Sequence, residues 1–256
     1  MLDSLPKEGQ IMPEKVFIDV ESEKIVGVFH KGDDAINACV ISCHGLLASK
    51  DSVKYITLAD ELNKIGISSF RFDFRGCGES DGKLINSHIT NRTKDLKAVI
   101  RFIIHELGFK KVGLFGSSMG GFVSFIQASS DSRIKALVSL SSPYSMADLF
   151  EAHGFNNDYY EIDGVVFGSE FIKDVKMNGD LTPELLGKIK CPVHIFHGSF
   201  DLLVPIMHAN RLFDNITAEK KLKIINGGDH MFSHPYHLVE IIETSKKWYS
   251  KYLLEA

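Results

Sequence analysis

Val112-Gly113-Leu114-Phe115-Gly116-Ser117-Ser118-Met119-Gly120-Gly121-Phe122-Val123-Ser124-Phe125-Ile126 is the stretch on which the reading of this chain turns. Residues 112–115 are apolar and β-prone, and residues 121–126 suit a buried helix, so 116–120 must form a tight strand-to-helix turn. At such a turn the middle residue is held in a strained backbone conformation that lifts its side chain clear of the sheet. Small flanking residues keep neighbouring chain from colliding. Ser118 occupies that position and is the candidate nucleophile. The five-residue pattern is weak evidence alone, because glycine and serine are common in ordinary loops. Its flanks make it informative.

The chain has 256 residues, enough for one large core, here expected to be a single domain over 1–256 with an insertion. Hydrophobic residues make up 44% and charged residues 24%, which excludes a disordered or fibrous chain. A net charge of -4 with no basic stripe argues against nucleic acid as a partner and favours a small molecule. The first residues carry neither a basic leader nor an apolar run long enough for a signal peptide or membrane span. A cytoplasmic protein is therefore expected, and a homodimer is compatible with it. Cys39, Cys43, Cys77 and Cys191 lack Cys-x-x-Cys spacing and are expected as free thiols.

Two short β-rich runs at 14–20 and 24–30 predict an antiparallel hairpin at a sheet edge. A continuous apolar or small run at 38–43 predicts a strand buried on both faces, ending in His44-Gly45-Leu46. Helical spacing at 52–65, a strand at 67–72, a glycine-dense loop at 73–82 and a helix at 89–107 lead into the nucleophile strand. Further buried strands are expected at 136–141, 193–197 and 222–226. Alternating strands and helices imply an α/β fold, with a mostly parallel central sheet and helices on both faces. Ligands in such sheets gather at the carboxyl ends of strands, and His44, Ser118, Asp201 and His230 all follow expected strand ends.

A serine hydroxyl needs an imidazole to take its proton and a carboxylate to orient that imidazole. His230 lies in the loop after the last strand, and Asp201 in the loop after the preceding one. Asp229 is adjacent to His230, but neighbouring side chains diverge, so Asp201 is the candidate acid. His230, His234 and His237 lie at i, i+4 and i+7, and His194 and His197 are close, which raises a metal site. Pro235 interrupts the first set and strand alternation separates the second, so no metal and no cofactor are expected.

His44-Gly45, the Phe-Asp-Phe-Arg-Gly-x-Gly-x-Ser-Asp-Gly run from 72 to 82, Gly-x-Ser-x-Gly at 116–120, Asp201 with Val204-Pro205, and Asp229-His230 together resemble the α/β-hydrolase superfamily. Within it the chain is similar to the carboxylesterase branch of cinnamoyl (feruloyl) esterases, monoacylglycerol lipases and serine aminopeptidase-like hydrolases, over roughly residues 14–250. The resemblance implies Ser118 as nucleophile, Asp201 as acid and His230 as base. It also implies an oxyanion hole from the backbone amides of Leu46 and Met119. Ser117 stands where many relatives carry histidine, and residues 46–50 are not glycine-rich. Neither departure touches the triad.

Residues 147–187 are expected to form a small inserted cap, because so long a connection is commonly a lid. Phe150, Phe155, Tyr159, Tyr160 and Phe167 are the candidate substrate-pocket residues. They could equally pack the insertion onto the main domain. The expected activity is a serine carboxylesterase acting on small to medium acyl or aryl esters, including cinnamoyl or feruloyl esters by resemblance. A peptidase or thioesterase with the same triad, or a non-catalytic binding protein, are the alternatives.

Overall fold

The computed structural model describes residues 12–152 and 159–255. The chain opens on a hairpin of β1 (Glu14–Val20) and β2 (Glu23–His30). Glu21 and Ser22 between them both adopt positive φ, the turn geometry that matches strand twist. Then follow β3 (Ala38–Cys43), α1 (Val53–Asn63), β4 (Ser68–Phe72), α2 (Ile89–His105), β5 (Lys111–Ser117), α3 (Met119–Ser130) and β6 (Ile134–Leu140). The connection from β6 carries α4 (Met146–Ala152), a β7 (Tyr160–Ile162) and β8 (Val165–Phe167) hairpin, α5 (Ser169–Asn178) and α6 (Pro183–Leu186). The chain closes with β9 (Val193–Gly198), α7 (Met207–Asn215), β10 (Lys220–Ile225) and α8 (Pro235–Tyr249).

The main sheet runs β1-β2-β4-β3-β5-β6-β9-β10, parallel from β4 to β10, with β2 antiparallel to both β1 and β4. Successive strand residues face opposite layers, and the core divides accordingly. Ile41, Leu114, Leu137 and Ile195 pack with Leu96, Val99 and Phe122 of α2 and α3. Their neighbours Val40, Phe115, Val138 and Phe196 pack on the other face with Tyr55 and Leu58 of α1 and Ile241, Ile242 and Trp248 of α8. Both faces are covered, which is why these strands read as unbroken apolar runs.

The edges obey different chemistry. β10 begins two residues before the apolar run that announces it, because an edge strand tolerates charge. Its Lys220 ammonium is not merely solvated: it donates to the carbonyls of Phe213 and Ile216 at the end of α7. No described helix is long and apolar enough to cross a membrane. All four cysteines are free and buried.

The glycine-dense loop after β4 is locked by charge. Asp73, fully buried, accepts from the Lys50 backbone amide at 2.7 Å, from Lys50 Nζ at 2.9 Å and from the Glu79 amide at 3.0 Å. Gly78 sits at φ 52 with Asp73 packed against it, so that any Cβ there would lie 2.2 Å from Oδ2. Lys50 is itself 2% exposed. Asp73→Ala would leave the Lys50 and Glu79 amides without their acceptor, while Lys50 Nζ keeps the half-exposed Asp51 and Glu79, at 2.9 and 2.6 Å, so the substitution is expected to cost about 1–3 kcal/mol. Urea unfolding checks this, and a midpoint equal to wild type would contradict it.

Candidate active site

Strand order brings the site together. The chain leaves β3, crosses outward to β4 and returns to β5, so β3 and β5 are neighbours whose following loops diverge from one crevice. Cys43 pairs with Gly116, which starts the loop at His44 beside the turn at Ser118. Likewise Gly198 pairs with Ile225, and the Asp201 and His230 loops leave side by side.

Ser118 takes φ 53 and ψ -124, a conformation that costs a non-glycine residue about 1–3 kcal/mol and persists only where its surroundings impose it. Its amide donates to Leu140 O at 2.8 Å and its carbonyl accepts from the Phe122 amide at 3.0 Å, pinning it between β6 and the first turn of α3. Gly120 is required by close approach: a Cβ there would lie 2.2 Å from Cys43 O. A Cβ on Gly45 would lie 3.4 Å from Ser118 Cβ and 3.9 Å from its Oγ, so the His44 loop runs directly against the serine. On the other side, Lys54 Nζ donates to Ser117 Oγ at 3.3 Å. Burial pulls that ammonium down to about 8 against the opposing charge of Asp229.

His44 is fully buried and accepts at Nε2 from the Phe74 amide, 3.0 Å. Its proton therefore sits on Nδ1, which donates to Gly45 O at 2.7 Å. Burial, reinforced by the Arg92 charge, lowers the imidazole from 6.5 to about 3. Between those values the unfolded chain binds a proton that the folded chain refuses. Stability is complete above about pH 6.5 and falls as pH drops toward the folded value, by about 2 kcal/mol from this residue at pH 5. His30 and His194, both pulled down to about 4 mainly by burial, act in the same direction. Thermal melts should show a clearly lower Tm at pH 5 than at pH 7.5, with a smaller drop in His44→Gln. Equal melting temperatures in the wild type would refute this.

His230 Nδ1 lies 2.9 Å from Asp201 Oδ2 and 3.1 Å from Oδ1. Asp201 Oδ1 also accepts from the amides of Leu203 and Val204, at 3.1 and 2.8 Å, which orients the carboxylate. Burial would raise its pKa, but the His230 hydrogen bond and charge, with the Val204 amide, outweigh that and hold it below the ordinary value. His197, fully buried, donates from Nε2 to Val204 O at 2.7 Å and lies 3.5 Å from Asp201 Oδ2, bracing the same turn. Asp229 is occupied elsewhere, accepting from the Ser233 amide at 2.8 Å. With Nδ1–H committed to the carboxylate, His230 Nε2 is left as an acceptor. The imidazole is 13% exposed, its hydrogen bonds run to Asp201, and none joins it to Ser118, a contact that commonly tightens only around substrate.

His234 precedes the first turn of α8 and lies 5.2 Å, ring to ring, from His237, while His230 is turned to Asp201. Among the described residues no group of three or more His, Cys, Asp or Glu side chains converges on a metal position. Of the aromatics in the insertion, Phe150 stacks on Tyr160 at 4.5 Å and on Phe171 at 5.8 Å, and Phe167 meets Phe171 at 4.5 Å. These four are buried, whereas Tyr159 is 49% exposed. Phe155 lies outside the described residues. Arg92, which reaches the His44 loop, and Lys50, which reaches Asp73, were not singled out from sequence. For Arg92 a signal existed: it fills the gap between Ile89 and Leu96 on the apolar stripe of α2.

A family model described as the alpha/beta hydrolase fold matches residues 39–174, more than half of the chain. The chain belongs to the α/β hydrolase family. Among curated relatives of this hydrolase, the lysophosphatidylserine lipase ABHD12 of Danio rerio is 25% identical over 202 residues, 76% of this chain and 51% of the relative. The mitochondrial palmitoyl-protein thioesterase ABHD10 of Rattus norvegicus is 25% identical over 203 residues, 71% of this chain and 65% of the relative. An uncharacterized 31.7 kDa protein of Escherichia coli is 32% identical, over 39% of this chain and 35% of its own length. The chain thus spans about a third to two thirds of the length of these curated relatives. Among solved structures, Est1E from Butyrivibrio proteoclasticus with ferulic acid bound superposes with a TM-score of 0.84 at 23% identity, covering 93% of this chain and 99% of that one. At that identity the likeness speaks for the fold. Two of these curated relatives are named a lipase and a thioesterase, and the family model is that of the alpha/beta hydrolase fold.

Proposed function

We propose that this α/β hydrolase is a serine carboxylesterase that cleaves small to medium acyl or aryl esters through an acyl-enzyme. The observation that carries the proposal is the His230–Asp201 pair, 2.9 Å, presented at the same sheet rim as a strained serine at the start of α3. In this scheme Ser118 Oγ attacks the ester carbonyl carbon while its proton passes to His230 Nε2, and Asp201 stabilises the imidazolium. The oxyanion is received by the amides of Leu46 and Met119, the latter at a helix N-terminus where the dipole favours negative charge. The imidazolium then protonates the departing alkoxide. Water, deprotonated by the same imidazole, attacks the acyl carbon; the acid leaves and Ser118 recovers its proton. The scheme calls on no cofactor.

Residues 147–187 serve as the cap in this reading, and the packed aromatic cluster of Phe150, Tyr160, Phe167 and Phe171 stiffens it, with exposed Tyr159 offered to substrate. Aryl esters are favoured among substrates by the likeness to Est1E, and four buried free thiols suit a reducing, cytoplasmic setting. A thioesterase reading is kept because one curated relative is named a palmitoyl-protein thioesterase. Turnover of p-nitrophenyl acyl esters, methyl ferulate, an acyl thioester and an aminoacyl p-nitroanilide separates these readings. Preference for the thioester or anilide over every oxygen ester would overturn the carboxylesterase assignment. Absence of all turnover together with no fluorophosphonate labelling would leave a binding protein.

A further inference from the structure

Arg92 is fully buried on α2 and belongs to none of the groups in the scheme above. Its Nη1 donates to His44 O at 2.9 Å and Gly45 O at 3.2 Å, and Nη2 donates to Leu46 O at 3.1 Å and meets Cys77 Sγ at 3.4 Å. Nε donates to Ser87 O at 3.1 Å and Ser87 Oγ at 3.0 Å, and the guanidinium lies over the Phe74 ring at 4.5 Å. Three consecutive carbonyls thus converge on one cation. In an extended chain successive carbonyls point to opposite sides, so this convergence requires the loop to curl around the arginine.

We propose that Arg92 is a positioning residue for the oxyanion loop, aiming and polarising the Leu46 amide through the carbonyls it binds. The inference rests on the acyl-transfer reading above. In a planar trans peptide the N–H points opposite to the C=O. With the carbonyls of His44, Gly45 and Leu46 drawn to Arg92, the amides of Gly45, Leu46 and Leu47 are turned away from it. Successive amides on one side of a curled backbone form an anion-binding concavity. Ser118 packs against Gly45 in this same loop.

The peptide joining Gly45 to Leu46 is bound twice at its carbonyl, by Arg92 Nη1 and by His44 Nδ1. Hydrogen bonds at a carbonyl strengthen the donor at the other end of the same peptide, so Leu46 N–H is the amide most polarised. The charge on Arg92 is also held in reserve. The buried carboxylate on its own helix, Asp95, is engaged by Arg75, with Nε–Oδ1 at 2.6 Å and the Arg75 amide at 2.9 Å from Oδ2. Among the described residues no carboxylate forms a salt bridge with Arg92. A cation held by carbonyl dipoles, a hydroxyl, a thiol and an aromatic face, with no carboxylate bound, is costly to bury, and it attracts an oxyanion forming one peptide away.

The test compares wild type, Arg92→Met, Arg92→Lys and Ser87→Ala on a p-nitrophenyl ester. The second readout is inhibition by a trifluoromethyl ketone, whose tetrahedral adduct carries an oxyanion. Losing one oxyanion donor costs about 100–1,000-fold, so Arg92→Met should lose about 100-fold in kcat with KM within threefold. Arg92→Lys should recover part of that loss by keeping the charge without the fork. Ser87→Ala, which loosens Nε and leaves the loop untouched, should fall a few-fold in the same parameter and keeps the test open if Arg92→Met does not fold. Ketone affinity should fall in parallel with kcat/KM. Folded variants with wild-type kcat, a loss confined to KM, or unchanged ketone affinity would overturn the inference alone. A wild type without ester turnover or Ser118 labelling would remove the esterase reading, and this inference with it.

Discussion

Ser118→Ala is expected to lower kcat for p-nitrophenyl ester hydrolysis by at least about 10,000-fold and to abolish labelling by a fluorophosphonate, with the fold intact. The substitution removes the only atom that forms the acyl bond in the proposed scheme, so what survives is water attack assisted by the oxyanion donors and binding. Stability should barely move, because alanine at φ 53 suffers the same backbone strain as serine and Ser118 Oγ holds no structural hydrogen bond among the described residues. Ser118→Gly separates the two effects. It should be as inactive as alanine yet more stable by about 1 kcal/mol, since glycine adopts positive φ without steric cost. Retained turnover in either variant would mean that the hydroxyl at this turn is not the nucleophile.

Asp201→Asn is expected to cost about 1,000–10,000-fold in kcat with little change in KM. The carboxylate accepts the Nδ1 proton of His230, which leaves Nε2 as the acceptor that takes the serine proton in the proposed scheme. An amide can present its NH2 group instead, and the imidazole then carries its proton on Nε2, where it cannot take one from Ser118. The loss should not be rescued by raising pH, because it is a tautomer fault and not incomplete deprotonation. The same carboxylate contributes to stability. Its folded pKa lies below the ordinary value, so its contribution is present above about pH 4 and is lost as pH falls through the folded pKa. Asp201→Asn should therefore unfold more easily at neutral pH and show a flatter acid limb below pH 4. A pH-rate profile and urea unfolding at pH 7 and pH 3 check both statements, and full activity in the variant would detach Asp201 from His230.

How far the chain could be read without coordinates depended on the range of the signal. The central strands β3, β5 and β9 announce themselves as apolar or small runs, because they are covered on both faces and nearly every position is buried. The α2 helix announces itself by its stripe, from Ile89 through Leu96, Val99 and Ile103. Ser118, Asp201 and His230 stood out as candidates because each follows an expected strand, and parallel strands end at one rim of the sheet. The aromatics of the insertion were visible as residues but not as partners. Whether Phe150 lines a cavity or stacks on Tyr160 is decided by which backbone segments lie side by side, and composition carries no record of that.

Composition and periodicity alone determined the α/β class and the strand-turn-helix at Ser118, because those depend on local backbone preference and on burial repeating at fixed intervals. Only the tertiary structure decided that Lys50 meets Asp73 and that Arg92 turns inward to three carbonyls of the His44 loop. A charged side chain on an apolar stripe, or in a loop, has no partner until distant segments meet. Its partner is chosen by the register and crossing of strands, which no single stretch of residues contains.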